Sequence, residues 1–103
     1  MDEIGFHFQV DKIFLEIEDR LEKLSDDIDV DSSEGVLTFA FDDGSNVIIS
    51  RQVATFEIWV AAKTGGFRLR FDGDIWFCDK TGEKLAALLD RIFSECGASR
   101  PFS

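Results

Sequence analysis

Residues 35–50 read GVLTFAFDDGSNVIIS. Leu37, Phe39 and Phe41 alternate with Thr38 and Ala40, the two-residue period of a strand with one apolar face. Asp42-Asp43-Gly44-Ser45 breaks that period, and Asp-Gly suits a tight hairpin turn. Residues 45–50 then resume as a second strand. A turn this short makes the two strands antiparallel. The stretch therefore predicts a sheet, and the apolar face of that sheet needs cover.

Working downstream, TFEIWVAAK (55–63) alternates Phe56, Ile58, Val60 and Ala62 with Glu57, Trp59, Ala61 and Lys63. Gly65-Gly66 marks the next turn. FRLRF (67–71) alternates again, with Phe67, Leu69 and Phe71 inward and Arg68 and Arg70 outward. Gly73-Asp74 turns into IWFC (75–78), too short to fix which way Trp76 points. Thr81 reads as a helix N-cap, with Glu83 near the positive helix end. Leu85, Leu88, Leu89, Ile92 and Cys96 give that helix its apolar face, and Gly97 is a suitable stop.

Upstream, residues 4–24 read as a helix. Phe6, Val10, Ile13, Phe14, Ile17, Leu21 and Leu24 fall within about 100° of arc at ~100° per residue. DDIDVD (26–31) is a further strand, with Ile28 and Val30 toward the core and Asp27, Asp29 and Asp31 outward. Helix, about six short strands and helix, all joined by tight turns, predict an α+β two-layer sandwich. Both helices pack on one face of an antiparallel sheet, whose other face is open to solvent. The 103 residues make one domain, 1–103, without repeats or linkers.

Composition narrows the function. The net charge is −10, and residues 1–34 hold 12 acids against 3 bases, a local charge of −9. Such a surface repels nucleic acid. Its natural partners are cations or a basic protein patch. No apolar run approaches the ~20 residues of a membrane span. The acidic N-terminus lacks the basic and apolar blocks of a secretory signal, so a cytoplasmic location is expected. Cys78 and Cys96 belong to no C-x-x-C motif, and one His leaves no zinc set of the usual kind. Both thiols are expected buried and reduced.

On the helical wheel Asp11, Glu18 and Glu22 lie within about 40° of each other, and Asp19 widens that stripe to about 100°. Lys12, Arg20 and Lys23 take the opposite flank. Glu18 and Glu22 are like charges one turn apart, a cost of roughly 0.2–0.5 kcal/mol. His7 precedes Asp11 by one turn, a spacing that can clip a metal ion. Asp27, Asp29 and Asp31 continue the acidic surface beyond the helix. An EF-hand is excluded, because Ser32 and Thr38 stand where that loop needs Gly and Glu. Exposed carboxylates without a cage bind hard cations weakly, through oxygen.

Trp59 points away from its apolar neighbours, onto the open sheet face. Arg51 and Gln52 precede its strand and Arg68 and Arg70 flank it. Exposed Trp beside Arg is the composition of a protein interface. No Ser/His/Asp set, phosphate loop or Cys/His pair is present, so an enzyme is not expected.

The segments FLEIEDRLEKL, GVLTFAFDDGSNVIISRQ, EIWVAAKTGGF and GDIWFCDKTGEKLAALL together resemble the bacterial frataxin family of the CyaY type, from Phe6 to about Phe93. The resemblance implies a frataxin-like α–β–α sandwich. It implies weak binding of iron (Fe2+ or Fe3+, with other divalent cations able to substitute) along Glu18, Asp19, Glu22, Asp27, Asp29 and Asp31, with His7 and Asp11 nearby. It also implies docking on a cysteine desulfurase, and on the iron–sulfur scaffold protein, through Trp59, Arg51, Gln52, Glu18 and Glu22. The protein would then be a regulator or adaptor of iron–sulfur cluster assembly, a monomer or an oligomer that forms with iron. The chain departs from the family pattern at Ser50 and Ala54, where Asn and Pro are usual. Two other functions are weighed: an acidic docking module whose metal binding is incidental, and a ferroxidase or iron-storage protein. The last needs close, partly buried carboxylates, which exposed stripes do not supply.

Overall fold

The computed structural model describes residues 1–24, 28–33 and 35–96, apart from the side chains of residues 22–24. Helix α1 spans Glu3–Leu24 and α2 spans Leu85–Glu95. Between them run β1 (Asp29–Ser33), β2 (Val36–Ala40), β3 (Asn46–Gln52), β4 (Glu57–Ala62), β5 (Gly65–Phe71) and β6 (Trp76–Cys78). They form one sheet in chain order, β1 to β6, each strand antiparallel to the next. The expected two-layer sandwich is the fold observed.

The core lies between the helices and one sheet face. Phe6, Val10, Phe14, Ile17 and Leu21 of α1 meet the inward residues Leu37, Phe39, Val47, Ile49, Ile58, Val60 and Leu69. Leu85, Leu88, Leu89, Ile92 and Phe93 of α2 complete it. Phe93 stands edge-on to Phe39 at 5.8 Å and to Phe41 at 5.1 Å between ring centroids, an arrangement aromatic rings favour. Trp76 also points inward, against Phe6 and Phe71. Both cysteines are buried free thiols.

Four local expectations change. Thr81 does not cap α2. Its hydroxyl accepts from the Glu83 amide, but the helix starts at Leu85. Lys84 bridges Phe77, and the Cys78 amide donates to the Glu83 carbonyl, so residues 79–84 turn back against β6 before the helix begins. Residue 56 is not in β4: a 3₁₀ turn, Val53–Thr55, precedes it, and Phe56 adopts φ 53°. Gly65 opens β5 rather than forming the turn. Val30 is 40 % exposed rather than anchored in the core, because β1 is an edge strand whose helix-side face is only partly covered. Gly97, the expected helix stop, lies outside the described residues, as do residues 25–27. Among the described residues no helix is long and apolar enough to cross a membrane.

Candidate metal and docking surface

The acidic residues of α1 are placed by its core face. Burial of Phe14 and Ile17 fixes the helix rotation, which turns Asp11 and Asp19 to solvent and leaves Glu18 half-buried. Asp11, Leu15 and Glu18 form one wall of an open groove. Ser32 of β1, Gly35 of the β1–β2 turn and Arg51 of β3 form the other.

Arg51 is the feature that the sequence grouped elsewhere. Strand alternation continues past Ser50, so Arg51 pairs with Ile58, shares the inward face of Val47 and Ile49, and lies on the other side of the sheet from Trp59. Its guanidinium stacks 5.3 Å over the Phe14 ring. One terminal nitrogen lies 2.9 Å from His7 Nδ1, and the other donates to Asp11 Oδ1 at 2.7 Å. The Arg51 side chain is only 18 % exposed. A β-carbon at position 35 would come within 3.1 Å of Arg51 Nε, and Gly35 has φ +77°. Glycine is therefore needed there both for the turn and for the passage of the arginine. Arg51 Nε itself is buried and finds no hydrogen-bond partner among the described residues. His7 and Asp11, expected as a metal clip, are thus bridged by a cation the chain already carries.

The strand carboxylates face elsewhere. Val30 and Ser32 pair with the inward residues Phe39 and Leu37. Asp29 and Asp31 pair with Ala40 and Thr38, on the open face. They are exposed at the sheet edge, but on the side away from α1 rather than facing the same way as Glu18. The Glu22 side chain and Asp27 lie outside the described residues. Among the described residues no three His, Cys, Asp or Glu side chains converge as they would in a built metal site. Among the described residues, the carboxylates of α1 and those of β1 stand on different sides of the sheet.

Trp59 lies on the open face as expected, 36 % exposed. Arg68, its β5 partner in register, stacks over the indole at 4.8 Å. The indole N–H donates to Glu57 Oε1 at 3.4 Å. Gln52, paired with Glu57, is on this same face. A cation over the indole is attracted by the ring face and helps to hold the ring in place.

A family model described as the frataxin-like domain matches residues 1–98. The curated iron–sulfur cluster assembly protein CyaY of Stutzerimonas stutzeri is 42 % identical over 99 residues, covering 94 % of this chain and 90 % of that protein. The solved structure of frataxin from Psychromonas ingrahamii superposes with a TM-score of 0.89 at 25 % identity, covering all of this chain and 99 % of its own. A trimeric frataxin from Saccharomyces cerevisiae, complexed with ferrous iron, superposes with a TM-score of 0.70 at 24 % identity, over 97 % of this chain and 88 % of that one. At that identity the yeast likeness concerns the fold alone.

Proposed function

The chain belongs to the frataxin-like family, and from that membership we propose that it works in iron–sulfur cluster assembly as an iron-responsive adaptor without catalytic machinery of its own. Iron is cargo here. It is held weakly by Glu18, Asp19 and Glu22 of α1, by Asp29 and Asp31 at the β1 edge, and by Asp27, which precedes them in the sequence. The observation that carries this reading is the charge of −9 on residues 1–34, whose described carboxylates are all exposed except the half-buried Glu18. Oxygen ligands suit hard cations, and an open surface that keeps water on the ion favours capture and release over storage. The lack of close, buried carboxylates among the described residues speaks against a ferroxidase. His7 and Asp11 take part only where Arg51 is displaced.

Anaerobic ferrous titration followed by amide NMR tests the metal half. Broadening is expected around Glu18, Asp19, Asp29 and Asp31, and its absence there removes the assignment.

A second reading has its own support. Arg51 shows that a guanidinium sits well on this surface, at 2.7 Å from Asp11. Docking of a basic face of the cysteine desulfurase is therefore proposed at Glu18 and Glu22, with the scaffold protein a further candidate. Trp59 and Gln52 offer a separate contact on the open face. Desulfurase capture should occur without metal, weaken with salt and fall in a Glu18→Lys, Glu22→Lys double variant. Capture indifferent to salt and to that variant contradicts the docking site. Where iron and the desulfurase compete for Glu18, the competition is the regulation.

A further inference from the structure

Arg51 is held closely and satisfied incompletely. Its terminal nitrogens reach His7 Nδ1 at 2.9 Å and Asp11 Oδ1 at 2.7 Å, and its guanidinium lies 5.3 Å over Phe14. Its Nε is buried and has no hydrogen-bond partner among the described residues. A buried donor left unpaired is a cost set against the contacts the other nitrogens make. The position is favoured, but not by a wide margin.

A second carboxylate stands within reach. Asp11 and Glu18 are seven residues apart, so they share about 20° of arc on α1 and are separated by roughly 10 Å along its axis. Phe14, the ring beneath the guanidinium, lies between them in height, about 4.5 Å along from Asp11 and about 6 Å short of Glu18. Glu18 lines the same groove as Arg51, is half-buried, and makes no hydrogen bond or ion pair among the described residues. The titratable groups that line this groove with Arg51 are His7, Asp11 and Glu18. Glu3 stands behind His7, 3.8 Å from its Nε2. Arg51 is the one lysine or arginine among the described residues of the groove.

We propose that Arg51 is a two-position latch. Its guanidinium pivots on the Phe14 ring between the place observed, on His7 and Asp11, and a second place on Glu18. His7 supplies an additional partner at the first, so the latch rests there. Displaced by a divalent cation on His7 and Asp11, the guanidinium moves to Glu18 and cancels the charge of that carboxylate. A basic partner residue on Glu18 keeps it at Asp11. Metal at one end of the groove and a basic partner at the other are thus negatively coupled without sharing a ligand, and the coupling is reciprocal. The latch rests on the metal and docking readings above. It differs from direct competition for Glu18.

The first test uses the full chain with no metal added. Asp11 is well exposed, so Asp11→Ala should keep the melting temperature. It should shift the side-chain carboxyl carbon of Glu18 in NMR spectra, and it should not do so in an Arg51→Gln chain. A Glu18 carboxyl that ignores Asp11→Ala, or responds equally without Arg51, overturns the latch. The second test uses Zn2+, followed at the ring nitrogens of His7. Arg51→Gln should tighten Zn2+ there at least about fivefold. Glu18→Gln should weaken it at least about threefold with Arg51 present and leave it unchanged in the Arg51→Gln chain. A Glu18 effect that persists in the Arg51→Gln chain marks Glu18 as an ordinary ligand and overturns the latch. Zn2+ and ferrous iron that disturb none of His7, Asp11 and Glu18 remove the metal reading, and the latch then stands or falls on Asp11→Ala alone.

Discussion

Helix α2 has 11 residues and buries every large apolar side chain it carries, Leu85, Leu88, Leu89, Ile92 and Phe93. Helix α1 has 22 residues, buries Phe6, Val10, Phe14, Ile17 and Leu21, and leaves Ile4, Phe8 and Leu15 in water. Their polar fastenings differ as well. Arg91 of α2 lies between Glu83 at 2.8 Å and Glu95 at 3.0 Å, both close in sequence. Asp11 of α1 is held by Arg51, from a strand 40 residues away. The shorter helix is given over to the core and is clasped by its own neighbours. The longer one is tied to the sheet by a distant cation and has a flank left over. Two helices under one sheet can thus divide stability from recognition.

The largest test of that division is Phe93→Ala. It should cost about 3–5 kcal/mol, the usual range for emptying a fully buried aromatic site, read as a fall in urea midpoint. A loss no greater than that of an exposed α1 substitution would break the comparison.

Next is the α1 tie. Arg51→Gln should cost about 1 kcal/mol, since the Asp11 end of the pair is well exposed. It should also extend ferrous-induced NMR broadening to His7 and Asp11. Gly35→Ala, placed at positive φ beneath the same arginine, should cost about 1 kcal/mol or more and loosen the Arg51 contact. Unchanged spectra at His7 in both variants would show that the distant cation does not tie α1.

The α2 clasp should respond to pH. Hydrogen bonding from Arg91 holds the Glu83 carboxyl below its ordinary value of 4.5. A group whose folded pKa is lowered stabilises the fold above its unfolded pKa, and that contribution fades as pH falls through the folded one. Glu83→Gln should therefore cost less than ~1 kcal/mol near neutrality and nothing in strong acid. A constant difference across the acid range would contradict it. Smallest of all, Phe8→Ser should change stability by no more than about 0.5 kcal/mol, and a larger loss would mean that Phe8 belongs to the core.

The helices and the meander were legible because each carries a strong period, 3.6 or 2, and the turns carry Asp and Gly. The face of Arg51 was not. Ending its strand at Ser50 removed the two residues whose alternation sends Arg51 inward and Gln52 outward. Alternation did separate Asp29 and Asp31 from Val30. Which side the helix occupies, however, follows only from Val30 pairing with the buried Phe39. The Thr81 cap failed because a strand-like bridge at Lys84 holds the chain off the helix until Leu85. Ile4, Phe8 and Leu15 stood on the wheel beside the acids, masked by a longer apolar row whose burial explained the helix without them.

The sheet has two free margins, and they are protected differently. At one, β6 is three residues long and its continuation folds back through the Phe77–Lys84 bridge. At the other, β1 is exposed throughout and offers unpaired backbone groups to any passing strand. Asp29 and Asp31 keep that margin from growing into a larger sheet, because an added chain would have to lie against their charge. Every substitution that neutralises this edge is therefore also a solubility experiment.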